Sequence, residues 1–181
     1  MTRATAKAAH CVGFPPIAAA DARVLVLGSM PSVASLAKHE YYGHPQNVFW
    51  PIMGRLFGAG PDVPYERRKA ILCERGVAVW DVLRTCHRSG SLDSAIRIES
   101  ETPNDFLAYF RRHRRIRSIF FNGQKAETAF RRHVQPSLAR LERKFTFTRL
   151  PSTSPAHAGR SFAGKLAAWR AVAAALRDCH R

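Results

Sequence analysis

Acidic residues are scarce in this chain of 181 residues: 13 Asp and Glu stand against 29 Lys and Arg, a formal net charge of +16. An excess of that size implies a polyanionic partner, nucleic acid before an anionic membrane face. Most of the basic residues are Arg, whose planar fork suits phosphate. Cysteine is sparse as well. Cys11, Cys73, Cys86 and Cys179 form no C-x-x-C pair, which argues against a zinc knuckle, a redox motif and an iron–sulfur cluster alike. No apolar run is long enough to span a bilayer, and the first twenty residues lack the apolar stretch and cleavage site of a secretory signal. The expectation is a cytoplasmic protein with reduced thiols. The G-x-x-x-x-G-K-[ST] and G-x-G-x-x-G phosphate cradles and a nucleophile elbow are also missing, which argues against a nucleotide or phosphate-ester enzyme.

What is there reads as one α/β domain over residues 16–181, preceded by a flexible tail over residues 1–15. Four short apolar runs have strand character: Arg23–Leu27 (RVLVL), Val77–Val82 (VAVWDV), Ile116–Phe121 (IRSIFF) and Phe145–Leu150 (FTFTRL). Runs apolar at nearly every position fit strands covered on both faces. Helical patterns lie between and after them, at Val48–Phe57, Pro64–Arg75, from Thr102 onward, at Gln124–His133 and at Phe162–Leu176. The alternation predicts a three-layer α/β/α fold around a four-stranded, mainly parallel twisted sheet. In such sheets ligands bind beyond the carboxyl ends of the strands. That rule selects the segments Gly28–Asn47, Arg84–Leu92, Asn122–Gln124 and Pro151–Arg160.

The first of these, GSMPSVASLAKHEYYGHPQN, offers a glycine and a proline (Gly28, Pro31) that let the backbone approach a flat ligand. It also carries tyrosines that can stack and, at Asn47, an amide that can donate and accept. The last, PSTSPAHAGRSF, concentrates hydroxyls, His157 and Arg160 before a helix, as phosphate contacts require, and two prolines stiffen it. The chain has only three asparagines, Asn47, Asn104 and Asn122, of which Asn104 sits in a helix-start signal.

The strand-Gly-Ser-Met-Pro-Ser opening, the stretch YYGHPQNVFW and the loop LPSTSPAHA, in that order, resemble the uracil-DNA glycosylase superfamily. Within it they resemble the hypoxanthine (deoxyinosine) DNA glycosylase branch; the mismatch-specific uracil/thymine branch shares an H-P-x-N-x-F-W stretch. The match runs from about Val24 to Trp169. Most of the superfamily places a water-activating Asn or Asp just after the first strand, where this chain has Ser29 and Met30, neither able to polarise water. The resemblance therefore implies Asn47 as the water-orienting residue, with Asn122 as its competitor.

It further implies a base-excision repair enzyme that hydrolyses the N-glycosidic bond of a deaminated base everted from double-stranded DNA, acting as a monomer without metal or cofactor. Tyr42 would stack the base, with Tyr41 second. Backbone groups of Ser29 and Met30 would read its edge, and Asn122 its lactam. The tip Pro155–Ala156–His157–Ala158 would enter the minor groove. Ser152, Ser154 and Arg160 would hold phosphates, and His157 would steady the leaving base. A second reading stays open: a non-catalytic binder of damaged or single-stranded DNA on the same fold, which would show salt-sensitive binding without base release.

Plainer roles compete for several of these residues. Asn47 could simply cap the following helix, and Phe49 and Trp50 read as core. His44 reads as a loop histidine, and Arg111–Arg115 as a solvated helix end. Asp81 closes a strand and could be a general base, but with a single carboxylate there a two-carboxylate glycosidase is not expected.

Overall fold

A computed structural model describes residues 8–178. Its main sheet contains β2 (Val24–Gly28), β3 (Val77–Asp81), β6 (Ser118–Asn122) and β7 (Thr146–Leu150), in the order β3-β2-β6-β7. All three pairings are parallel. β2 and β3 are buried at every residue, whereas the edge strand β7 is largely exposed. This burial is why the first two segments carry unbroken apolar runs and β7 alternates. Helices α2 (Phe49–Phe57), α3 (Tyr65–Glu74), α4 (Phe106–Arg112), α5 (Gln124–His133) and α6 (Phe162–Asp178) flank the sheet, giving the expected α/β architecture.

The register brings the carboxyl ends of the four strands to one edge. Gly28 lies opposite Asp81, and Asn122 opposite Leu150. Two glycines are required there. Gly123 has φ +91, and a Cβ on it would lie 2.9 Å from the Ser152 Cβ. A Cβ on Gly28 would lie 2.3 Å from the Asp81 Oδ1 and 3.2 Å from the Tyr42 hydroxyl oxygen.

Three expectations are corrected. The flexible tail over residues 1–15 is not borne out in its second half: Ala9–Val12 form β1, which pairs antiparallel with β4 (Leu83–Arg88) in a second sheet, β1-β4-β5, completed by β5 (Thr102–Pro103). This segment is held by further bonds, because the Tyr41 hydroxyl and the Trp80 indole donate to the carbonyls of Phe14 and Pro15, at 3.1–3.3 Å. Residues 1–7 and Cys179 lie outside the described residues. The segment Arg84–Leu92, expected as a functional loop, is mostly β4, and only its end approaches the site. The long first loop also contains a short helix, α1 (Val33–Lys38), capped by the Ser32 hydroxyl, which accepts from the Ser35 N–H at 3.1 Å.

Candidate active site

A cavity of about 250 Å³ opens at the carboxyl edge of the main sheet. It is smaller than the roughly 300–1,000 Å³ typical of sites for drug-sized ligands, so it suits a single heterocycle. Of the residues singled out above, Gly28, Ser29, Met30, Pro31, Tyr41, Tyr42, Asn47, Asp81, Asn122, Ser152, Ser154, Ala156 and His157 line it. Pro155 and Arg160 are exposed on the same turn but do not line it. The first and last loops are joined directly: the Val48 N–H donates to the Thr153 carbonyl at 3.1 Å.

Asn47 lies at the start of α2 and on the cavity wall at once. Its Oδ1 accepts the Phe49 N–H at 2.9 Å, an Asx turn that satisfies the first donor of α2 just ahead of the N-cap residue Val48 and fixes the amide plane at the cavity wall. One lone pair of that oxygen and both amide hydrogens stay available. Asn122 is more committed. Its Nδ2 donates to the Thr153 hydroxyl at 2.8 Å while its Oδ1 accepts the Thr153 N–H at 2.9 Å. Thr153 is fully buried, so this reciprocal pair ties the end of β6 to the last loop. Asn104 donates to the Asp81 carbonyl at 2.9 Å and is structural.

Both tyrosines reach the cavity wall, but they are held differently. Tyr41 is core, 3% exposed, with its hydroxyl spent on the N-terminal segment. Tyr42 stacks on Phe49, with ring centroids 3.9 Å apart, and also lines the cavity. Its φ of +55 is the left-handed region, unusual for a bulky residue. That conformation costs energy and points to a positional requirement. Phe49 and Trp50 are core. His44 accepts the Gln46 N–H within its own loop.

Two carboxyls, not one, face the cavity, which corrects the expectation of a single one. Asp81 is 3% exposed, and its Oδ2 has no hydrogen-bond partner; nor does the neighbouring Tyr42 hydroxyl. Burial first, and the nearby Asp93 second, push the Asp81 carboxyl up to about 8 against the pull of Arg88. That upward shift favours the protonated, hydrogen-bond-donating form at neutral pH over the general base considered from sequence. Asp93 comes from a turn after β4, and its Oδ1 accepts the Ser29 hydroxyl at 2.7 Å. Burial of the carboxylate raises it too, opposed by that bond and by Arg88 and Lys125. Little in the residue pattern pointed to Asp93 beyond the turn chemistry of Gly90–Ser91–Leu92 beside a strand end. Among the described residues, no group of three or more His, Cys, Asp or Glu could hold a metal ion.

The last loop is built from its own hydroxyls and anchored by α6. The Ser152 hydroxyl accepts the Ser154 N–H, and the Ser154 hydroxyl accepts the Ala156 N–H, both at 3.2 Å. From α6, Lys165 donates to the His157 carbonyl at 2.8 Å and the Trp169 indole to the Pro151 carbonyl at 3.0 Å. Lys165 is 5% exposed, and burial lowers its ammonium pKa. The tip, residues 155–158, projects into solvent above this anchored base.

A profile of the Uracil DNA glycosylase superfamily matches residues 15–176, nearly all of the described chain. The chain belongs to that superfamily. It is 34% identical over 146 residues to a hypoxanthine DNA glycosylase of Methanosarcina acetivorans, covering 76% of this chain and 91% of that one. It is also 34% identical over 115 residues to a hypoxanthine DNA glycosylase of Methanosarcina barkeri, covering 63% and 72%. A solution NMR structure of a Methanosarcina acetivorans protein, described as a candidate uracil DNA glycosylase, superposes with a TM-score of 0.76 at 32% identity, over 96% of this chain and 100% of that one. The sheet order and edge cavity described above are therefore the superfamily's fold carrying this chain's own residues.

Proposed function

We propose that this superfamily member is a monofunctional DNA glycosylase that excises hypoxanthine from duplex DNA, working as a monomer. The observation that carries the reading is the single-base cavity between two joined loops, with a held amide on its wall and a buried carboxyl on its floor. The names of its relatives support the same base.

An everted nucleotide would enter with its base against Tyr42 and its sugar toward Asn47. Cleavage of the bond from C1′ to the base nitrogen leaves an oxocarbenium-like sugar and places the bond's electron pair on the departing purine. The protonated Asp81 would donate a hydrogen bond to that purine and relieve its growing negative charge. The free lone pair of the Asn47 Oδ1 would accept a hydrogen bond from a water, aiming its oxygen at C1′. Attack forms the new bond from C1′ to oxygen, the water releases one proton to solvent, and the purine anion takes up one proton, giving an abasic site and neutral free base. His157 and the exposed tip would fill the gap in the helix, and Ser152, Ser154 and Arg160 would hold adjacent phosphates. Asn122 is assigned chiefly to fixing the Thr153 loop, with its one spare donor and one spare lone pair facing the base.

The test is an alkali-developed gel of the purified chain on duplexes carrying deoxyinosine, deoxyuridine or deoxyxanthosine. Strand cleavage at deoxyinosine is expected. Salt-sensitive binding to every duplex with cleavage of none would instead support the non-catalytic binder.

A further inference from the structure

The end of the molecule opposite the active site carries a second concentration of positive charge. The site lies beyond Gly28, Asp81, Asn122 and Leu150, at the carboxyl ends of the strands. At the amino ends of the same strands, two adjoining grooves share Arg114 and Arg117. Arg115 lines one of them, and Arg111, Arg140 and Arg143 line the other. Among the described residues, none of these six has an acidic ion-pair partner. Three acids border the grooves, Asp21, Glu74 and Glu142, and Glu74 is already held by Arg67 at 2.5 Å.

The guanidiniums at the centre are fixed in place. Arg143 donates to the carbonyls of Phe110, His113 and Arg114, at 2.7–3.2 Å, and lies over the rings of Phe110 and Phe145. Arg117 donates to the Arg114 carbonyl at 2.8 Å. Backbone oxygens thus anchor cations side by side where no carboxylate neutralises them. Burial, and then repulsion from Arg117 and Arg114, lower the Arg143 pKa. Arg111, Arg114, Arg115 and Arg140 are exposed around this anchored pair. The arrangement is a stripe of preorganised phosphate forks.

We propose that these paired grooves bind the phosphate backbone of a second duplex DNA segment while the first is held at the active site. Five-residue strands separate the two edges by about 17 Å before loops are added. A duplex with a persistence length of about 150 bp cannot leave one edge and fold back over the other within a short site. The partner must therefore be a separate segment. Such a surface would let the enzyme pass between segments without full release. The inference uses only the superfamily's attachment to DNA, not the choice of hypoxanthine.

The test mixes a donor-labelled deoxyinosine duplex with an acceptor-labelled undamaged duplex, both short, and reads energy transfer on adding the full chain. Excision is followed in the same tubes. The wild-type chain is expected to bring the two duplexes together, with acceptor affinity falling by about two orders of magnitude between 50 and 200 mM salt if about four phosphates are contacted. Arg111→Gln/Arg114→Gln/Arg140→Gln is expected to lose energy transfer at least tenfold while excising at the wild-type rate. Arg55→Gln/Arg84→Gln/Arg170→Gln, which removes the same charge elsewhere, is expected to keep it. Absence of transfer in the wild type, equal transfer in the groove variant, or equal loss in the charge-matched variant would each overturn the proposal. Transfer without excision would uphold it while defeating the glycosylase reading.

Discussion

Replacing Asn47 by alanine separates its observed structural role from the catalytic role proposed for it. Its Oδ1 accepts the Phe49 N–H at 2.9 Å, so truncation leaves the first turn of α2 with an uncapped donor. Loss of such a cap costs about 1 kcal/mol, which in a domain of this size lowers Tm by about 2–4 °C. The same truncation removes the acceptor proposed to aim water at C1′. A positioned group of that kind contributes about 10²–10⁴-fold to the rate. Asn47→Ala should therefore excise hypoxanthine at least about a hundredfold more slowly in single-turnover assays, with binding to the lesion duplex nearly intact. Asn47→Ser keeps a short acceptor for the Phe49 N–H and should restore most of the Tm while excision stays slow, which isolates the catalytic contribution from folding. Calorimetry and quenched-flow excision on all three proteins decide the matter. If Asn47→Ala loses the expected Tm but excises within about threefold of wild type, the side chain is only a cap and the water must be held elsewhere.

Other outcomes follow from the same geometry. Asp81 keeps its proton in the folded state up to about 8 but would release it near 4 when unfolded, so it favours folding fully at low pH and progressively less as pH rises through that window, by up to about 1.4 kcal/mol per pH unit. Asp81→Asn should flatten that slope in urea titrations at pH 5 and pH 8, and an unchanged slope would mean the carboxyl is already ionised. Excision should decline as pH passes 8 in the wild type and lose that limb in Asp81→Asn. Gly28→Ala, whose Cβ would meet the Asp81 Oδ1 at 2.3 Å, should lower both Tm and excision, since Asp81 or Tyr42 must move; wild-type values for both would show the floor to be soft. Lys165→Met removes the anchor of the His157 carbonyl together with a buried ammonium, so stability should change little. Excision from duplex should fall more than excision from single strands, and an equal fall in both would remove the wedge role from this loop.

The main sheet was legible in the residues because its central strands are covered on both faces and so must be apolar throughout, as in VLVLG and VAVWD. The second sheet was not. β4 reads LRTCHR, and its burial follows no clean alternation; one of its buried side chains is Arg88, 1% exposed, whose Nη2 donates to the Pro31 carbonyl at 2.7 Å. A charged residue buried through a partner 57 positions away carries no local signal. The same distance in sequence hid the pairing of Asn122 with Thr153, 31 positions apart, and the approach of Asp93 to Ser29, 64 apart. The carboxyl-edge loops were legible because the position of a ligand in a parallel sheet follows from topology alone. The protonation of Asp81 was not, since it depends on burial and on a second carboxylate brought in by folding.

The most direct measurement is a crystal structure of the chain with a duplex carrying a single 2′-fluoro-deoxyinosine, whose glycosidic bond resists hydrolysis. The hypoxanthine should lie extrahelical in the cavity between Tyr42 and the loop at residues 152–157, with the Asn47 amide facing C1′ across one water and Asp81 against the purine. A base still stacked in the helix, or seated with C1′ beside Asn122 and away from Asn47, would contradict the account.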